Sequence, residues 1–282
     1  MAVKSGWEVI VMGSGQDAGV PQVGCSCKRC AAARSDPAAR RLAPSLLVKS
    51  DAAGQSIIID ASPDIREQLD RYLPPLPLRA VKAVFITHGH VGHYWGLAFL
   101  GKEGPDLKDV AVHATGDVVK MLRDTPALAL MESRGNIRAS SDTDVSFGDM
   151  SIEAFTVPHR QELTQTVGFR ICGPSKTVVY IPDIDRWTPD ALAKIRSADL
   201  ALIDGTFFSA EELGGMRAMQ EIPHPPISET LEVLGNLEGQ HRTAVYFTHF
   251  NHTNPAGLDG PERNQVLQAG LGTAFDGMRI QI

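Results

Sequence analysis

Apolar residues in this chain come in short runs, most of which stop at a polar or charged side chain. Trp7 to Met12, Ser45–Val48, Ser56–Asp60, Val84–Ile86, Val110–His113, Ile152–Val157, Val178–Ile181, Leu200–Ile203 and Ala244–Phe247 are rich in β-branched residues and bounded by turn formers. Such runs read as half- or fully buried strands. Helical periodicity follows the turn Asp60-Ala61-Ser62-Pro63-Asp64, which is read as capping a helix to about Tyr72. It returns from about Tyr94, just beyond His93, and over Val118–Arg123. The proline-rich stretch LPPLPLRA is a connector. The segment SAEELGGMRAMQEIPHPPI, with Gly214-Gly215 at its middle, is expected to be a mobile flap.

The polar ends of these runs carry the chemistry. Thr87-His88-Gly89-His90-Val91-Gly92-His93 follows Val84-Phe85-Ile86 and puts three of the nine histidines within six residues. Neutral imidazole is the commonest ligand for zinc-like metals, and two rings spaced by two on a loop can converge on one ion. Four further strands deliver ligand-type groups at their ends: Pro158-His159, Pro182-Asp183, Asp204-Gly205-Thr206 and Thr248-His249. A metal site ringed by strand ends is therefore expected. His113, alone on a strand, reads as structural, and His241, in a polar turn, as exposed.

A second cluster is of another kind. Cys25, Cys27 and Cys30, in the form C-x-C-x-x-C, are three of the four cysteines. A reducing compartment disfavours disulfides there, and three thiolates on one turn call for a cation such as zinc in a Cys3His set. Cys172 reads as a small core residue. Gly13-Ser14-Gly15 lacks the rest of a dinucleotide fingerprint.

Composition narrows the class. With 282 residues the chain suits a single domain over 1–282 carrying a small zinc-binding cysteine loop at about 24–31. A net charge of −6 with no basic stripe argues against generic nucleic-acid binding. No apolar run reaches the roughly 18–20 residues of a membrane span, and the start of the chain lacks a secretory pattern. A cytoplasmic protein is the expectation.

THGHVGH, Pro158-His159, Tyr180-Ile181-Pro182-Asp183 and Thr248-His249 resemble the successive motifs of the metallo-β-lactamase superfamily. The cysteine motif, Asp204-Gly205-Thr206-Phe207, His224 in IPHPPI and the ending HFNHTNP…DGMRI resemble two of its branches, the pyrroloquinoline-quinone biosynthesis B proteins and the cyclic-phosphate phosphodiesterases. The resemblance implies an α/β fold, the αββα four-layer sandwich. It implies that His88, His90 and His159 hold a first metal, that Asp183 bridges to a second, and that His93 and His249 complete the second. It implies a structural zinc at Cys25, Cys27, Cys30 and His252, a substrate-contacting role for His224, and, at family level, a homodimer. The superfamily pattern H-x-H-x-D-H is broken here, because Gly92 stands at the aspartate position. The second site is thus expected to lack its carboxylate and bind metal weakly, and Gly92→Asp to raise its occupancy.

Two reaction classes follow. The first is hydrolysis of a phosphodiester or similar ester by water activated on zinc, manganese or Fe(II), one or two ions, with Asp183 and His224 catalytic. The second treats His93, His249 and Asp183 as two histidines and a carboxylate for Fe(II) and oxygen. It fits the hydroxylation of a precursor peptide that the quinone-biosynthesis resemblance implies. A metal-binding protein without turnover is a third reading. Substrates are accordingly small molecules or peptides.

Overall fold

The apolar runs pair into two seven-stranded sheets in a computed structural model that describes residues 6–212, 223–235 and 243–282. The Gly214-Gly215 pair and His241 lie outside the described residues. Strands β1 (Glu8–Gly13), β2 (Ser45–Ser50), β3 (Gln55–Ile59), β4 (Val81–Phe85), β5 (Val110–His113) and β6 (Ile137–Ser140) build the first sheet, and β14 (Arg279–Gln281) adds to β1. Strands β7 (Val145–Phe147), β8 (Met150–Val157), β9 (Thr166–Cys172), β10 (Thr177–Ile181), β11 (Leu200–Asp204), β12 (Ala244–Thr248) and β13 (Gly272–Thr273) follow in order across the second. Each sheet is antiparallel in one half and parallel in the other.

Side-chain alternation explains the layers. On β1, Val9 and Val11 face the second sheet, meeting Phe169, Ile171 and Tyr180 in a core between the sheets. Their neighbours Ile10 and Met12 point the other way, into a core shared with α2 (Ile65–Tyr72), α4 (Gly116–Asp124) and α5 (Pro126–Ser133). The second sheet repeats the arrangement: Val179, Ile181, Ile203 and Phe247 pack beneath α6 (Pro189–Arg196), α7 (Ile227–Gly235) and α8 (Pro261–Gln268). Strands buried on both faces read as near-continuous apolar runs, as Val9–Met12, Val178–Ile181 and Leu200–Ile203 do. Each fully buried aliphatic side chain contributes about 1.5–3 kcal/mol, and the three cores hold the strands from which the site residues extend. The fold is the expected αββα sandwich. Among the described residues no helix is long and apolar enough to cross a membrane.

Strand direction brings the site together. β3, β4, β10, β11 and β12 belong to the parallel halves. β1 lies two antiparallel steps from β3, and β8 two from β10, so they point the same way as those strands. All these strands finish at one edge.

Three local expectations change. The helix after the histidine loop begins at Val91, so His93 lies within α3 (Val91–Tyr94), and the chain then tightens into a 3-10 turn over Trp95–Leu100. Close packing forces that path: a Cβ at Gly96 would come within 2.1 Å of the Ser62 carbonyl oxygen. The Asp60–Asp64 turn does not supply a side-chain cap to α2; Asp60 has another role, described below. Cys172 is half-buried at the end of β9 and accepts from Arg170 Nη1 at 3.1 Å, so it is not a core residue.

Candidate metal centre

The histidine loop leaves β4 with its first imidazole buried and the second turned back upon it, so that His88 Nε2 and His90 Nδ1 lie 2.8 Å apart. His159, on the turn that leaves β8, joins them, and one ring nitrogen from each of the three falls within 4.8 Å of the others. Asp183, beyond β10, divides its two oxygens. Oδ1 lies 3.5 Å from His159 Nε2, while Oδ2 lies 3.2 Å from His93 Nε2 and 3.3 Å from His249 Nε2. The structure thus brings together His88, His90, His93, His159, Asp183, His224 and His249, which are scattered over 162 positions of sequence (249 less 88, both ends counted).

A residue that the sequence did not single out completes the second group. Asp17, in the loop after β1, sets Oδ1 3.2 Å from His93 Nε2 and 3.5 Å from His249 Nε2. The expectation of a pocket without its own carboxylate is therefore corrected: position 92 has none, but Asp17 stands beside it. The only sequence signal was that Asp17 follows an apolar strand by a few residues, like the other site groups.

Behind the rings stands a layer of partners. His93 Nδ1 meets Asp60 Oδ2 at 2.8 Å, His159 Nδ1 meets Asp185 Oδ1 at 3.0 Å, and His224 Nδ1 meets Asp204 Oδ2 at 2.7 Å. His249 Nδ1 is 2.9 Å from Thr206 Oγ1, and His88 Nδ1 is 3.0 Å from Thr87 Oγ1. Pairing one ring nitrogen fixes the ring and aims the other inward, which raises its basicity toward an ion. Asp60 also accepts from the Thr87 amide at 2.8 Å, and Asp204 from the amides of Ile184 at 3.0 Å and Thr206 at 2.9 Å. These aspartates tie the strand-end loops together while orienting the imidazoles. Asp60 and His249 adopt left-handed backbone, both at φ +62°, a conformation uncommon outside glycine that clusters at functional sites.

The electrostatics suit cations. Burial lowers His88 well below the usual imidazole value and lowers His90 and His159 too, leaving the neutral rings that ligate metals. Burial would lower His93 as well, but Asp60, Asp17 and Asp183 raise it well above the usual value. Burial works against ionising Asp183 and Asp17, yet the surrounding imidazoles, His249 foremost, hold both well below the carboxylate range. Asp183 Oδ2 and His249 Nε2 are buried with no hydrogen-bond partner among the described residues. Inward-facing orphaned donors of this type fit a metal ion.

The cysteine loop forms a separate cluster. Cys27 caps α1 (Lys28–Ser35), accepting from the Cys30 amide, and His252 Nδ1 lies 3.4, 3.7 and 3.5 Å from the sulfurs of Cys25, Cys27 and Cys30. Zinc bonds of about 2.3 Å to sulfur and 2.0–2.1 Å to nitrogen, at tetrahedral angles, place S and N about 3.6 Å apart. The four side chains fit that ion. Arg29 fastens the same loop to the segment after β12, donating from Nη1 to the carbonyls of Asn251 and Asn254. His113 stands apart from both clusters, stacked on Phe85 with its Nδ1 2.7 Å from the Asp142 carbonyl oxygen.

Comparison with known proteins agrees with this architecture. The family model described as Beta-lactamase superfamily domain matches residues 55–250. The chain is 29% identical to the coenzyme PQQ synthesis protein B of Rhizobium meliloti (strain 1021) over 97% of each chain. It is 31% identical to the protein of the same name from Ruegeria pomeroyi, over 97% of this chain and 99% of that one. Among solved structures, zinc-bound PqqB from Methylobacterium extorquens superimposes with a TM-score of 0.83 at 26% identity, covering 98% of this chain and 100% of that one. A diphosphatase of the PhnP family shares the fold at a TM-score of 0.72 and 24% identity, over 98% and 97%. With its two mixed sheets, its ligand-bearing strand ends and these relatives, the chain belongs to the metallo-β-lactamase superfamily.

Proposed function

We propose that this protein is a metal-dependent hydrolase of a phosphodiester or similar ester. The observation that carries the reading is the division of Asp183 between two sets of imidazoles, with Oδ1 toward His159 and Oδ2 toward His93 and His249. His88, His90 and His159 would hold one ion, His93 and His249 a second, and Asp183 would be shared. Zinc, manganese or Fe(II) would suit these donors. Bound ions of this type bring the pKa of water down to about 7 and polarise a substrate oxygen.

The chain's own residues supply the rest. Asp183 accepts a hydrogen bond from the attacking water and orients it. His224 is raised to about 9 because Asp204, 2.7 Å away, outweighs the effect of burial. Paired with Asp204, it is placed to give a proton to the departing oxygen. His90 and His224 keep more exposure than His88, His93, His159 and His249, so substrate would approach from their side. Relatives named for coenzyme PQQ synthesis support a second reading, in which Fe(II) at the second set and oxygen hydroxylate a precursor peptide. The complete first set favours hydrolysis, because an oxygenase of that design needs only two histidines and one carboxylate.

Metal-reconstituted protein tested on bis(p-nitrophenyl) phosphate, beside Fe(II)-loaded protein tested for oxygen uptake with a tyrosine-containing peptide, separates the two. Ester hydrolysis lost in His224→Gln with little change in KM supports the first reading. Oxygen-coupled turnover without hydrolysis overturns it. Tight metal binding with neither activity identifies a metal-binding protein without turnover.

A further inference from the structure

We propose that Asp17 is a ligand of the second ion, supplying from the β1 loop the carboxylate that position 92 lacks. This rests on the two-ion reading above. Gly92 sits in helical backbone where any residue could stand, since its φ is not in the left-handed region, so the glycine must answer to space. A Cβ there would lie 2.4 Å from Asp17 Oδ1, 2.5 Å from its Cγ and 2.7 Å from its Cα. The Asp17 side chain and backbone thus fill the volume into which a side chain at 92 would project. One position carries the carboxylate and the other must be bare.

The separations are those of a shared ion. Bonds of about 2.0–2.2 Å from nitrogen and oxygen at tetrahedral angles set neighbouring donors about 3.4 Å apart. Asp17 Oδ1 lies 3.2 and 3.5 Å from His93 and His249, and Asp183 Oδ2 lies 3.2 and 3.3 Å from the same two nitrogens. His249, 1% exposed, turns Nε2 into this space with no hydrogen-bond partner among the described residues. The placement of Asp17 is also built rather than incidental. Gly15 bridges to Phe250, with the Gln16 amide donating to the Phe250 carbonyl at 3.0 Å and the Phe250 amide to the Ser14 carbonyl at 2.9 Å. Asp17 is therefore tied to the backbone next to His249, and the two donors are held as a unit.

Reciprocal substitution tests the assignment. Metal per chain is measured by elemental analysis, the affinity of each ion by competition with a chromophoric chelator, and the geometry by the visible spectrum of the cobalt form. Asp17→Ala empties no core, since the side chain is 28% exposed, and the melting temperature of metal-free protein monitors its fold. We expect wild type to hold two ions besides that of the cysteine site. Asp17→Ala should weaken the second ion by at least about tenfold while sparing the first. Gly92→Asp should weaken it too, because the new Cβ would meet both the side chain and the Cα of Asp17. Two ions retained with unchanged affinity in Asp17→Ala, or a tighter second ion in Gly92→Asp, would overturn the inference and leave the two-ion reading standing. A wild type with a single ion at the histidine cluster would overturn both.

Discussion

Asp60→Asn isolates the role of the layer behind the imidazoles. Asp60 is fully buried, accepts from the Thr87 amide at 2.8 Å and from its hydroxyl at 2.9 Å, and meets His93 Nδ1 at 2.8 Å. Asparagine has the same shape and tolerates the left-handed backbone at φ +62°, so the turn should survive. It offers one acceptor oxygen where aspartate offers two. If that oxygen keeps the Thr87 amide, the NH2 faces His93 Nδ1 and drives the imidazole proton onto Nε2, the atom aimed at the second pocket. A lost hydrogen bond to a charged group amounts to about 1.5–3 kcal/mol. At about 1.4 kcal/mol per decade, that weakens the second ion by roughly 10- to 100-fold, in the range found when such outer partners are removed. Chelator competition on the purified variant measures the change, and urea unfolding of the metal-free form should show a loss of about 1–3 kcal/mol from the broken contact with His93. Wild-type affinity for the second ion in a folded Asp60→Asn protein would refute the argument that Asp60 sets the orientation and tautomer of His93.

Two further outcomes follow from charge. Burial alone would lower His224, but Asp204 raises it to about 9. In metal-free protein, this pair's contribution to stability should be complete below the ordinary imidazole value of 6.5 and lost as pH rises through about 9. Urea midpoints across that window should show the step in wild type and not in Asp204→Asn; equal profiles would count against the ion pair. At the cysteine cluster, burial and the neighbouring thiols raise Cys30 to about 11, whereas the Cys30 amide and His252 overcome burial to bring Cys27 down to about 6. Zinc uptake near neutrality must then displace the Cys30 proton, so affinity should rise with pH toward about 11. Calorimetry in buffers of different ionisation heat reads the released proton directly, and zinc binding without proton release would rule out ligation by Cys30.

What the sequence by itself determined was local. Runs such as Val178-Val179-Tyr180-Ile181 announce buried strands because strands buried on both faces are apolar almost throughout, and the histidines and aspartates that follow them stand out because ligand types rarely recur in that position. The superfamily likeness extended this to the αββα layers. Weaker strands escaped: β6, with Arg138 and Ser140 in its run, owes its extended form to pairing with β5. Side-chain partnerships escaped for the same reason. Asp60 read as a helix-capping turn and Asp17 as nothing, since neither has a sequence neighbour that reveals its use. Only the tertiary structure decided that Asp60 braces His93 and that Asp17 occupies the space Gly92 leaves open. A ligand set is defined by distances of a few ångströms between strand ends, and those distances come from sheet order and strand direction, which no local pattern encodes.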